Sequence, residues 1–236
     1  MKTVIKLAVT DFKLIFRSPS LRGFLVLPIL LYVLIVWFVP GLVEKYDFLT
    51  PYLPVFLVIG VIENTQTFCF ISSMVLIDEK ETEVARLYGV VPLTHIQYLF
   101  SRMLIPFLFT VLLNVGLLAV QPFYPIHWVA NLTISLLTAC VVPVYVLGIN
   151  ALVKNRMEGL IYIKAFNIVV LVPVAAFFLP LHFSPAFGIF PTHWIFQSIA
   201  NVTAGLPIVG VITIGSTYFL LLLIFVSKAF LKKHFI

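Results

Sequence analysis

One acidic side chain stands apart in this sequence. Glu63 lies in the middle of a long apolar run and is followed by Asn64, Thr65, Gln66 and Thr67. A carboxylate among hydrocarbon is costly, and such groups by default face a bundle interior or a wet cavity. Two uses suit these residue types. Glu63, with Asn64 and Gln66, belongs to a substrate pathway for a cationic amphiphile, or a protonated, hydrogen-bonded carboxyl fixes the packing of its helix. A second chemistry-bearing stretch runs from Asp78 to Arg102. It opens Asp78-Glu79-Lys80-Glu81-Thr82-Glu83 and continues through Arg86, Leu87, Tyr88 and Pro92. Acidic residues lead and a basic residue trails, the order a short helix dipole favours. Glu79, Glu81, Glu83 and Arg86 are too polar for a bilayer. Val84, Leu87, Tyr88, Val90 and Val91 are too apolar for a free loop. A segment polar at one end and apolar at the other suits a docking surface, with a solvated connector as the plain alternative.

Several chemistries are missing from the chain. It holds no GxxxxGK[ST] phosphate loop, no HExxH and no GxSxG. Its histidines, His95, His127, His182, His193 and His234, are scattered and never paired at metal-ligand spacing. Cys69 and Cys140 both fall in apolar stretches, so neither a disulfide framework nor a Cys/His metal site is expected. Ser216 has no evident base partner. We therefore expect no catalytic residues and no metal, and a transport subunit rather than an enzyme.

The elements that must position these residues follow from hydropathy. Of 236 residues 62% are hydrophobic and 10% charged, and the mean hydropathy is +1.15. Soluble domains carry about a quarter charged residues. A bilayer can solvate such a chain if every backbone polar group is satisfied inside a helix or closed barrel. Apolar runs of about 20 residues without strict alternation indicate helices. Six spans are predicted, at about 23–42, 52–77, 103–121, 127–149, 160–180 and 207–230. The third break holds no formal charge, and Pro122 and Pro125 supply it.

With both ends in the cytoplasm, every lysine and arginine except Lys45 falls on the cytoplasmic side. A Lys/Arg bias of this kind sets orientation and supports an even number of spans. The net charge of +6 is therefore a matter of topology, not of nucleic-acid binding. Residues 1–18 read as a basic amphipathic helix. Lys2, Lys6, Lys13 and Arg17 share one face, and the segment suits the membrane interface. The stretch 181–206 is too apolar for a free loop and too broken by Pro185, Pro191 and Pro207 to span. Short interfacial or re-entrant helices are expected there. The whole chain is thus read as one all-α transmembrane domain, 1–236.

The loop 78–101 resembles the intracellular loop of the permease subunits of type-2 ATP-binding cassette exporters. Glu79-Lys80, Leu87, Pro92 and Ser101-Arg102 fall at that family's offsets. Glu83 departs from its usual Gly-Thr step, and Arg102 stands in place of the usual Lys. The interfacial N-terminal helix, six spans and interrupted segment before the last span also match the family's layout. Within it, Glu79-Lys80 with Gln97-Tyr98-Leu99-Phe100-Ser101-Arg102 is similar to fluoroquinolone-type drug-export permeases. The resemblance implies a multi-pass protein of a prokaryotic cytoplasmic membrane that moves a small hydrophobic or amphiphilic molecule, drug or lipid-like, outward. It implies two ATPase subunits holding ATP and Mg, and a second permease subunit, identical or homologous. The loop residues Glu79, Lys80, Glu81, Glu83, Arg86, Leu87, Tyr88 and Pro92 would couple to the ATPase. The alternative is a small secondary transporter or channel that uses Glu63 as an ion or proton site.

Overall fold

The computed structural model describes residues 19–82 and 94–234, together with Ala8. The interfacial helix expected at 1–18 lies outside the described residues apart from that one position. Glu83, Arg86, Leu87, Tyr88 and Pro92 lie outside them as well.

Among the described residues the protein is helical throughout. We number the α-helices α1 Pro19–Phe24, α2 Leu27–Val33, α3 Val39–Lys45, α4 Leu53–Glu81, α5 His95–Val120, α6 Trp128–Ala139, α7 Val141–Leu152, α8 Arg156–Leu171, α9 Pro191–Thr203 and α10 Val209–His234. Six helical stretches are long and apolar enough to cross a membrane: Leu21–Lys45, Asp47–Glu81, Ile96–Val120, Trp128–Leu152, Arg156–Phe177 and Val209–Lys233. The all-α, six-span architecture read from hydropathy is therefore the architecture observed.

Local chemistry sets the ends of these stretches. α5 starts at His95, well before the apolar run, because Thr94 and Gln97 form a capping box. The Gln97 amide donates to Thr94 Oγ1 at 3.3 Å, and the Thr94 amide donates to Gln97 Oε1 at 3.0 Å. Asn155 caps α8 by accepting from the Glu158 amide at 2.9 Å. The uncharged third break is organised by Gln121. Its Oε1 accepts from the amides of Phe123 and Tyr124 at 2.9 and 3.0 Å, which satisfies a backbone turned by two prolines.

Prolines also shape the spans internally. The first span widens to a π-turn at Leu34–Phe38, where the Val39 amide reaches back to the Leu34 carbonyl. Pro40 follows at once and has no amide for the ordinary bond to Val36, so the wider turn absorbs the mismatch. The fourth span breaks at Cys140, three residues before Pro143, into α6 and α7.

The core is built around α4. Its buried residues lie on all sides of the helix, as expected of a helix enclosed by others. It packs against α5, α7, α8, α2 and α9. The first span docks through two notches. A Cβ on Gly60 would lie 2.1 Å from Ile35 Cδ1, and one on Gly116 would lie 2.5 Å from the Tyr32 hydroxyl. That hydroxyl donates to the Leu113 carbonyl. The segment before the last span forms a 3-10 stretch, Leu181–Ile189, followed by α9. α9 buries Thr192, His193, Ile195, Phe196, Ser198 and Ile199 and packs against α10, α6 and α4.

Candidate functional site

α4 runs past the last apolar residue to Glu81, so Asp78, Glu79 and Lys80 sit on its final turn and not in a loop. The Thr82 hydroxyl donates to the Asp78 carbonyl at 2.8 Å and closes that end. α5 then returns from Thr94. The two helices are the arms of a hairpin, joined in sequence by residues 83–93.

The arms are pinned together at the base. Arg102 on α5 pairs with Glu79 on α4, Nη2 to Oε1 at 2.9 Å, with the two side chains only 2% and 8% exposed. The Arg102 guanidinium also lies over the ring of Tyr98, one turn earlier on α5, at 5.3 Å from its centroid. A buried cation between a carboxylate and an aromatic face is compensated on two sides. Arg is suited to this place because its planar group can pair and stack at once.

Lys80 points to another neighbour. Its Nζ donates to the carbonyls of Val153 at 2.7 Å and Asn150 at 3.3 Å. Those carbonyls belong to the C-terminal end of α7, where backbone acceptors have no helical partner and a cation is favoured. Asp78 faces Arg156 at the start of α8, at 3.5 Å and half exposed. Three consecutive residues of α4 thus tie α5, α7 and α8 to one plane at the hairpin base. Glu81 and Thr82 are exposed beyond that plane.

Of the residues read as ATPase-facing, Glu79 and Lys80 are therefore engaged within the chain, and Glu81 is free at the surface. Arg102, Tyr98 and the α7 carbonyls complete the arrangement. Arg102 is visible in the sequence as part of the loop motif, but nothing local couples it to Glu79, 23 positions away.

The midspan polar cluster is distributed around α4. Glu63 is half-buried, and its carboxylate makes no hydrogen bond or ion pair among the described residues. Asn64 is fully buried, and neither its Nδ2 nor its Oδ1 has a partner there. Thr65 accepts from Asn114 Nδ2 of α5 at 3.0 Å. Gln66 Nε2 donates to the Asn167 carbonyl of α8 at 3.3 Å, and Asn167 Oδ1 accepts from the Tyr145 hydroxyl of α7. At about 100° per residue, Asn64 and Gln66 project to nearly opposite sides of the helix. Glu63, Asn64 and Gln66 do not converge on one cavity. Thr65 and Gln66 make polar contacts between helices, which suit a medium without water.

The chain matches the family described as "Fluoroquinolones export permease protein Rv2686c-like" over residues 11–227. No curated protein and no solved structure matches it. The family match begins ahead of the first span, takes in the pinned hairpin and the α4 polar cluster, and ends within the last span. The chain belongs to the Rv2686c-like family of fluoroquinolone export permeases.

Proposed function

We propose that this protein is the membrane-spanning subunit of an ATP-driven exporter that moves fluoroquinolone-like or similar amphiphilic small molecules out of a prokaryotic cell. Two permease subunits, identical or homologous, enclose the path. Two separate ATPase subunits hold ATP and Mg and dock against the tip of the α4/α5 hairpin. Both termini and that tip face the cytoplasm, in keeping with the distribution of lysine and arginine.

The observation that carries this reading is the buried Glu79–Arg102 pair at the base of the hairpin. A tip that transmits motion must stand on a stiff foundation, because a flexible base would absorb the displacement. Glu79 and Lys80 thus contribute as positioning residues, joining the hairpin to α5 and α7. Glu81, Glu83, Arg86, Leu87, Tyr88 and Pro92 are the residues assigned to contact with the ATPase. Midspan, Glu63, Asn64 and Gln66 are assigned to the substrate path. Glu63 and Asn64 support this best, since their side-chain polar groups have no partner among the described residues.

The test is co-purification of the chain with an ATPase subunit, followed by measurement of ATP hydrolysis with and without a fluoroquinolone. Stimulated hydrolysis supports the proposal. Drug flux that persists without any ATPase, driven by a proton gradient and abolished by Glu63→Gln, would replace it with a secondary transporter.

A further inference from the structure

An apolar cavity of about 360 Å³ opens between α7, α8 and α10 and is closed at one end by the start of α9. Its floor and walls include Val144, Gly148 and Leu152 of α7 and Leu222, Val226 and Ala229 of α10. Two hydroxyl groups border it, and both are already engaged. The Tyr145 hydroxyl shares its one proton between Asn167 Oδ1 and the Ile163 carbonyl, the latter at 3.0 Å, and the Thr192 hydroxyl donates to the Val170 carbonyl at 2.8 Å. Along α10 the cavity extends from Phe219 to Ala229. That is about 15 Å at 1.5 Å per residue, close to half of a hydrocarbon core roughly 30 Å thick.

Charge gathers at one mouth. Lys233 lies four residues beyond Ala229 and seven beyond Val226, on the same stripe of α10. Lys154 lies two residues beyond Leu152. Both lysines are exposed. Both are near enough to Lys80 to repel it, and Glu158 is the acid that faces the group. Glu158 accepts from the Lys154 amide at 2.9 Å through Oε2 and keeps its charge, so Lys80, Lys154 and Lys233 against this one carboxylate leave the group net positive. Lys80 is bound to the α7 carbonyls, and Arg156 is paired with Asp78. Lys154 and Lys233 remain as cations at the edge of a long apolar slot.

We infer that this slot holds one acyl tail of an anionic phospholipid, with its headgroup phosphate on Lys154 and Lys233. A tail requires no hydrogen bonds, and the slot offers none. A zwitterionic aromatic drug would need fixed polar partners, which the lining lacks. A second copy of the chain docked here about a twofold axis would bring like-charged lysine pairs together. The lipid lies in the leaflet at the hairpin end of the molecule. It would brace α10 against α7 beside the carbonyls that receive Lys80.

The experiment uses the full chain in detergent, titrated in mixed micelles with dioleoyl phosphatidylglycerol or dioleoyl phosphatidylcholine. Retained lipid is counted by native mass spectrometry. One phosphatidylglycerol per chain is expected, preferred over phosphatidylcholine by about thirtyfold, the order two lysines give at an anionic headgroup. Lys154→Gln with Lys233→Gln should abolish the preference and leave weak retention of both lipids. Leu222→Trp should exclude both. Gly148→Ala is the milder volume change, because its added methyl meets Val226 Cγ1 at an ordinary 3.8 Å. It should lower retention of both lipids with their ratio unchanged, and it serves where Leu222→Trp fails to insert. Equal retention of the two lipids, a preference that survives loss of both lysines, or unaltered retention in both volume variants would overturn the inference. So would stoichiometric displacement of the lipid by ciprofloxacin, or a dimer that Leu222→Trp converts to monomer without lipid being present.

Discussion

The Glu79–Arg102 pair sets the energetics at the base of the hairpin. Taking either charge out of water is expensive, and their attraction offsets this only while both are present. Removing one partner takes from the other its opposite charge while it stays buried. Glu79→Gln or Arg102→Met is therefore expected to destabilise the protein by about 3–5 kcal/mol, seen as a lowered thermal unfolding temperature in detergent. The double variant Glu79→Leu/Arg102→Met should lose much less. If the double variant is as unstable as the two single changes summed, the two residues are not coupled. The sequence marks both residues through the loop motif, yet their partnership was not legible. It spans 23 positions and depends on where α4 ends and α5 begins. Lys80 shows the same limit. A lysine in a charged run reads as solvent- or partner-facing, and only the fold reveals that the end of α7 lies beneath it. At midspan the sequence identifies the costly group, Glu63, but not the orientation of its neighbours. Glu63→Gln is expected to reduce drug-stimulated ATP hydrolysis while leaving assembly intact. Unchanged stimulation, together with failure of Glu63→Leu to insert, would assign Glu63 to packing instead.

Caps and notches decide how the elements behave. The Thr94–Gln97 capping box begins α5 eight residues ahead of the apolar run, and its spacing is visible in the sequence once a helix start is sought there. Hydropathy alone favours the apolar onset, because it does not register a cap. Gln121 likewise substitutes for charge in the third break through side-chain bonds that composition does not reveal. The first span relies on Gly60 and Gly116. In Gly116→Leu the new side chain would displace the Tyr32 hydroxyl, whose position is 2.5 Å from an added Cβ. A loss of about 1–3 kcal/mol is expected from overpacking. Tyr32→Phe, which removes only the hydroxyl, should cost about 1 kcal/mol. Equal unfolding temperatures for Gly116→Leu and the parent protein would show that the first span is held elsewhere. Between α4 and α5 in the sequence, Tyr88→Ala should leave the spans inserted and reduce drug stimulation of the ATPase by roughly five- to 150-fold, the range of typical coupling energies. Crosslinks from position 88 should reach the ATPase. Crosslinks confined to the permease would make the tip a plain connector.

For the whole molecule, the even span count and the Lys/Arg distribution follow from composition, since a bilayer imposes few alternatives on so apolar a chain. The assembly of spans around α4 was less accessible. Every span is apolar, but the second, which carries the polar run 63–67, is the least so, and that alone hints that one helix is enclosed. Orientation has a direct test. In a chain with Cys69 and Cys140 replaced, a single cysteine at position 45 should react with an impermeant reagent on intact cells, and one at position 154 should not. The opposite pattern would invert the topology.

The enclosed position of α4 also bears on the order of events during synthesis. This helix is the second span to leave the ribosome, yet α5, α7 and α8, which supply the partners of its Thr65, Lys80 and Gln66, come later. In the interval its carboxylate, amides and hydroxyls have only lipid, the first span or the insertion machinery for company. A single charged residue at a helix centre costs on the order of 2.5–3.5 kcal/mol on insertion scales. The nascent second span is thus apolar enough to insert, but its polar side chains gain partners only as its neighbours arrive. The contacts of Thr65, Gln66 and Lys80 can form only after α5, α7 and α8 are in place, so packing around α4 is completed late and not span by span.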